Sequence, residues 1–197
     1  MLAGSRSLVV LTAVLALVSG AGLLLYAHWS MPASAAWEAV LARDPERALD
    51  EYAVSARRFS QVPPAQELLA ADFSELTYNR LALLYRLGRY DDMFEVADKA
   101  PASSAPHFWI GCALFAKSTT EKKPDARLEW LSRAEDEFKL ALAAAPDDWD
   151  TKYNYELAAR LAAALRAKPK VAPETLMQLL RQQPRTGREQ EPVKKVG

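Results

Sequence analysis

The chain has 197 residues, half of them hydrophobic, with 25 Lys/Arg against 25 Asp/Glu, two histidines and one cysteine. One cysteine excludes a disulfide framework within the chain, and Cys112 with His28 and His107 cannot assemble a Cys/His zinc cluster. Alanine and leucine are abundant, glycine is scarce beyond the N-terminal segment, and strand-like alternation is missing, so the expected class is all-α. The neutrality hides a split: residues 7–165 carry 16 Lys/Arg against 22 Asp/Glu, whereas residues 166–197 carry 8 against 3. The tail is basic and poor in apolar residues, which predicts disorder over 184–197; a basic tail can also touch an acidic partner or a membrane surface, and no nucleic-acid partner is expected.

Residues 1–7 form a short N-terminus expected in the cytoplasm. Leu8–Trp29 follows, 22 residues with no formally charged side chain apart from the titratable His28. That length suffices to cross a bilayer as a helix. Arg6 and the amino terminus precede it and no basic cluster follows closely, so the remainder is expected outside the cytoplasm, with Tyr26 and Trp29 at the outer interface. Ala33-Ser34-Ala35 offers a small-x-small cleavage site, but the apolar run exceeds the usual signal-peptide length. An uncleaved signal anchor at 8–29 in a bacterial inner membrane, with a periplasmic domain over 30–170, is the expectation.

Ala36–Arg58 predicts one or two short helices interrupted near Asp44-Pro45, where Asp44 can cap and Pro45 suits the first turn. Gln61–Pro64 predicts a break. Ser74–Leu87 has apolar residues near helical spacing and should end at Gly88; Tyr90–Ala100 then forms a second helix, stopped by Pro101. A second hairpin begins at His107 with Trp109, Gly111, Ala113 and Leu114. A polar stretch, TTEKKPDAR, reads as an insertion, after which come Ala134, Phe138, Ala141 and Pro146. Both hairpins resemble tetratricopeptide repeats, through Tyr78-Asn79, Leu81, Leu84, Gly88, Tyr90, Ala97 and Ala100 in the first and the 4, 3, 5 offsets of Ala134 to Pro146 in the second. Arg80 and Met93 depart from that pattern.

The stretch APDDWDTKYNYELA, Ala145–Ala158, then starts a third unit. One of Asp147, Asp148 and Asp150 caps a helix whose apolar stripe is Tyr153, Leu157, Leu161 and Leu165. An EF-hand calcium loop would need a central glycine and a distal glutamate, and Trp149, Thr151 and Lys152 break the ligand series. A short capping helix is expected over 171–183. Cys112 and His107 lie five residues apart on a helix expected to be buried, so a nucleophile pair there is disfavoured. The expectation is an N-terminal transmembrane helix followed by a tetratricopeptide-like array, with no catalytic, metal or cofactor site. Its interaction face would comprise Tyr78, Asn79, Tyr85, Trp109, Trp149, Lys152, Tyr153 and Asn154.

The anchor, the exported body and the segment PDDWDTKYNYELAARL, Pro146–Leu161, together resemble the MxaK family of membrane-associated accessory proteins from bacterial methanol-oxidation operons. The layout is also similar to that of the tetratricopeptide proteins of Bat (aerotolerance) operons. The resemblance implies a non-enzymatic assembly factor that works beside von Willebrand factor A proteins and a MoxR-type ATPase. Its implied role is calcium insertion into a quinoprotein methanol dehydrogenase. A general envelope scaffold with another client is the competing reading, and a metal carrier or enzyme using Cys112, His107 or Asp147–Asp150 is a third.

Overall fold

The structure is a computed structural model and describes residues 2–167 together with Gln178 and Arg181. Apart from those two residues, the capping helix expected over 171–183 and the tail over 184–197 lie outside the described residues. Every regular element described is a helix: α1 (Leu2–Leu41), α2 (Pro45–Gln61), α3 (Pro63–Leu68), α4 (Ala70–Arg86), α5 (Tyr90–Asp98), α6 (Ser104–Thr120), α7 (Pro124–Ala144) and α8 (Trp149–Arg166). The helices divide into two compact units, α1–α3 up to Leu68 and α4–α8 from Leu69 onward.

In the first unit, α1 runs unbroken for 40 residues, where the sequence suggested a membrane segment ending at Trp29 and a new helix near Ala36. It is long and apolar enough from Leu8 to cross a membrane, with a mean hydropathy of 2.6 in its most apolar window and none of that window buried. Pro32 sits inside this helix, buried. Having no N–H, it leaves the carbonyl of His28, four residues earlier, without its helical donor. Arg58 on α2 donates from Nη1 to that same carbonyl. The helix therefore passes through proline with its hydrogen-bond deficit filled from the neighbouring helix.

The second half of α1 buries Ala33, Ala36 and Ala39 against α2, whose buried face is Ala48, Leu49, Tyr52, Ser55 and Phe59. The connection is tight: Asp44 N–H donates to the Ala39 carbonyl at 2.9 Å, with Arg43 between them in the left-handed region at φ 60°. As the sequence predicts, Asp44 caps α2, accepting from Arg47 N–H at 3.2 Å, with Pro45 in the first turn. The break expected over Gln61–Pro64 shrinks to Val62, and Pro63–Leu68 forms α3.

In the second unit, α4 begins at Ala70, a turn earlier than expected. It closes at Gly88, whose φ of 68° lets Arg89 N–H reach the Leu84 carbonyl at 3.0 Å. The stretch TTEKKPDAR is no insertion between helices. Thr119 and Thr120 finish α6, Pro124 to Arg127 begin α7, and only Glu121–Lys123 lies outside a helix. Proline tolerates the first turn of a helix, so Pro124 starts α7 where it was expected to belong to a loop.

Helix α6 is the centre of this unit, packing on α4, α5, α7 and α8. Phe108, Trp109, Ile110, Cys112, Ala113, Leu114 and Phe115 are all buried, and a helix apolar around its whole circumference belongs in a core. Gly111 sets the distance to α7. A Cβ built on it would lie 2.6 Å from Cε1 and 2.7 Å from Cδ1 of Phe138, whose ring is fully buried.

Two double-mutant cycles follow from these contacts. Gly111→Ala should destabilise the second unit by about 1–3 kcal/mol through overpacking. In a Phe138→Ala background the same change should stabilise by up to about 1 kcal/mol, from helix propensity alone. Urea unfolding in mild detergent measures both, and equal effects in the two backgrounds would rule out the contact as the cause. Arg58→Ala should cost about 1 kcal/mol of α2 protection from hydrogen exchange while Pro32 is present. It should cost far less once Pro32→Ala restores the missing N–H.

Candidate functional site

The eight residues expected to form an interaction face divide by burial. Trp109 is 3% exposed and Asn79 and Asn154 are 1% and 0% exposed, so these three belong to the core. Trp109 sits between helices, its ring centroid 5.5 Å from that of Tyr78, 5.4 Å from Tyr85 and 5.2 Å from Phe108. Asn154 places Nδ2 3.9 Å from the Cys112 sulfur. Both asparagines lie on helix faces that pack inward, where their amides can be satisfied only within the core.

Tyr78, Tyr85, Lys152 and Tyr153 are half-buried. Trp149 is 78% exposed at the first position of α8, and Lys152, one turn on, holds its ammonium 4.9 Å from the indole centroid. Of the three candidate aspartates, Asp148 is the cap. Its carboxylate accepts from Asp150 N–H at 3.1 Å and from the Thr151 hydroxyl at 2.6 Å. The buried stripe of α8 is Thr151, Asn154, Leu157, Ala158, Leu161 and Ala162, rotated from the expected Tyr153-to-Leu165 line, of which only Leu157 and Leu161 are buried. Among the described residues no three His, Cys, Asp or Glu side chains are grouped as metal ligands would be.

Cys112 and His107 do not meet as a nucleophile pair. His107 places Nδ1 2.8 Å from Oε2 of Glu137, joining α6 to α7. Cys112 is fully buried, and burial pushes its thiol well above the ordinary range, with the charges of Asp148 and Asp150 adding to the effect. A thiol held neutral in an apolar site is a packing group.

An open recess of about 540 Å³ lies where α6 meets α7, lined by Lys117, Thr120, Glu121, Lys122, Lys123 and Trp130. Lys117 holds its ammonium 5.3 Å from the Phe94 ring centroid and 5.5 Å from that of Trp130, and pairs with Asp91 at 2.6 Å. Arg133 lies 5.2 Å from the same indole. The rim is built by backbone bonds: the Glu121 carboxylate accepts from Lys123 N–H at 2.9 Å, and the Glu121 carbonyl accepts from Arg127 Nε at 3.1 Å. That Lys123 N–H bond is the main reason the Glu121 carboxyl lies below the usual range; the Lys122 N–H and the charges of Lys123 and Arg127 act in the same direction, against desolvation. Three lysines and an indole line the recess beside Glu121, a set that can receive an acidic side chain.

Sequence reasoning passed over this recess because it assigned Lys122 and Lys123 to an insertion. The signal available was the Lys-Lys pair seven residues before Trp130 in a segment that starts a helix. No family model matches the chain, and no curated protein or solved structure matches it either.

If Cys112 is a packing group, a thiol reagent such as dithionitrobenzoate should label the folded protein at the rate of unfolding and react fully once urea is added. Rapid labelling without denaturant would show a reactive thiol and revive the nucleophile reading.

Proposed function

We propose that the chain is a membrane-anchored protein-interaction module, with α1 as its anchor and α4–α8 as a tetratricopeptide-type array exposed to the bacterial periplasm. One observation carries this reading: in the second unit consecutive helices pack on one another, while α4 also packs on α6 and α6 on α8. Packing between alternate helices is how repeat arrays build a wall of first helices, and such walls serve to grip other proteins. The exposed indole of Trp149 under Lys152, and the basic recess beside Trp130, supply the aromatic and cationic anchors that interfaces favour.

The proposed client comes from the resemblance of Pro146–Leu161 to the MxaK family. On that reading the module serves assembly of a quinoprotein methanol dehydrogenase, alongside von Willebrand factor A proteins and a MoxR-type ATPase, in calcium insertion. It acts by binding and performs no chemistry of its own.

The test is capture of tagged, detergent-extracted protein from methanol-grown cells, with mass spectrometry of its companions. Recovery of the dehydrogenase, the ATPase or the von Willebrand factor A proteins supports the client assignment. Recovery of unrelated envelope proteins alone ends it and leaves an interaction module with another client. Trp149→Ala should leave the helical spectrum unchanged, since the side chain is exposed, and reduce affinity for the captured partner at least about ten-fold, as loss of an aromatic hot spot does.

A further inference from the structure

In the first unit the chain doubles back along α1. The Asp44-to-Ala39 bond fixes the turn, and Arg58 reaching the His28 carbonyl fixes the far end, so α2 runs antiparallel to α1 with its last turn level with His28. A hydrocarbon core of about 30 Å takes about 20 helical residues. Counted from Leu8, where the apolar run begins, that length ends near Tyr26 to His28. The last turn of α2 and the start of α3 therefore stand at the level where hydrocarbon gives way to headgroups.

The side chains there suit that layer. Val62 is 38% exposed and Leu68 83% exposed, Pro63 and Pro64 are exposed beside them, and Arg57 points outward one turn earlier. Glu67 is the only acid between Arg57 and Leu68. The backbone suits it as well. The opening residues of a helix ordinarily present unpaired N–H groups, which are costly where water is scarce, but Pro63 and Pro64 have none. The Val62 N–H is used by the Phe59 carbonyl at 3.3 Å, and the Ser60 hydroxyl donates to the Arg57 carbonyl at 2.8 Å.

We propose that Val62–Leu68 lies in the headgroup layer of the bilayer that α1 crosses, with Arg57 meeting the phosphates of anionic phospholipid. This rests on α1 being a membrane anchor, and the test separates the two. Single cysteines replace Leu17, Glu46, Val62 and Leu68, one at a time, in the full chain with Cys112→Ala, and each carries a nitroxide. The proteins are reconstituted in vesicles of phosphatidylcholine and phosphatidylglycerol, and label collision with oxygen and with a water-soluble nickel chelate is compared. Oxygen should dominate strongly at position 17 and moderately at 62 and 68, and the chelate should dominate at 46. Arg57→Glu should shift position 68 toward the chelate. Labels at 62 and 68 behaving like the one at 46, with 17 still deep, would overturn this inference and leave the anchor standing. A water-exposed label at 17 would overturn the anchor, and this inference with it.

Discussion

Close approach of helices is the constraint on which both units depend, and each meets it by removing side chain from one partner. In the second unit the absent Cβ of Gly111 makes the space that the Phe138 ring occupies. Around it Ala113, Ala134, Ala141, Ala158 and Ala162 are all without exposure. In the first unit Ala33, Ala36 and Ala39 do the same for α1 against α2. Large rings then fill what remains: Tyr52 and Phe59 in one unit, Phe115 and Phe138 in the other. Small residues facing large ones keep packing dense, and each pair is tolerant of change only if both partners change together.

Pro32 adds a dependence of a different kind. Its buried position in the α1–α2 interface suits an apolar ring, yet it removes a backbone donor at the point where α1 emerges from its apolar half. The Arg58 guanidinium both fills that deficit and pins the hairpin at the same height. The bond joins the end of α2 to the carbonyl of His28, so one contact serves both hairpin register and helix continuity.

The all-helical class, Gly88 as a helix stop, Asp44 and Pro45 at a helix start, and an aspartate cap before Trp149 were legible because each depends on neighbours in sequence. What escaped depended on contacts remote in sequence. Where α1 continues past Trp29, the carbonyl freed by Pro32 is served by Arg58, 30 residues away. The burial of Asn79, Trp109 and Asn154 follows from α6 being enclosed by four helices, which no local period reveals. Polar or amphipathic residues on a helix look like surface until the neighbouring helix is placed. The recess at Lys122 and Lys123 was hidden by the opposite error, since helix extension at both ends turned a supposed loop into a rim.

The distribution of these features bears on how such a molecule works. Three groups weighed for chemistry have structural roles: Cys112 is enclosed, His107 is tied to Glu137, and Asp148 is a cap. In the proposed interaction module, the described side chains open to a partner include Trp149, Lys152 and the cations about Trp130, which would contribute by burial and charge. Binding through such groups needs a surface that keeps its shape, because each rotamer frozen on association subtracts from affinity. Several are already restrained in the unbound chain: Lys152 lies on the Trp149 ring, Lys117 is paired with Asp91, and Arg133 lies over Trp130. For the proposed module, part of the ordering that a partner would otherwise have to impose is already done by folding.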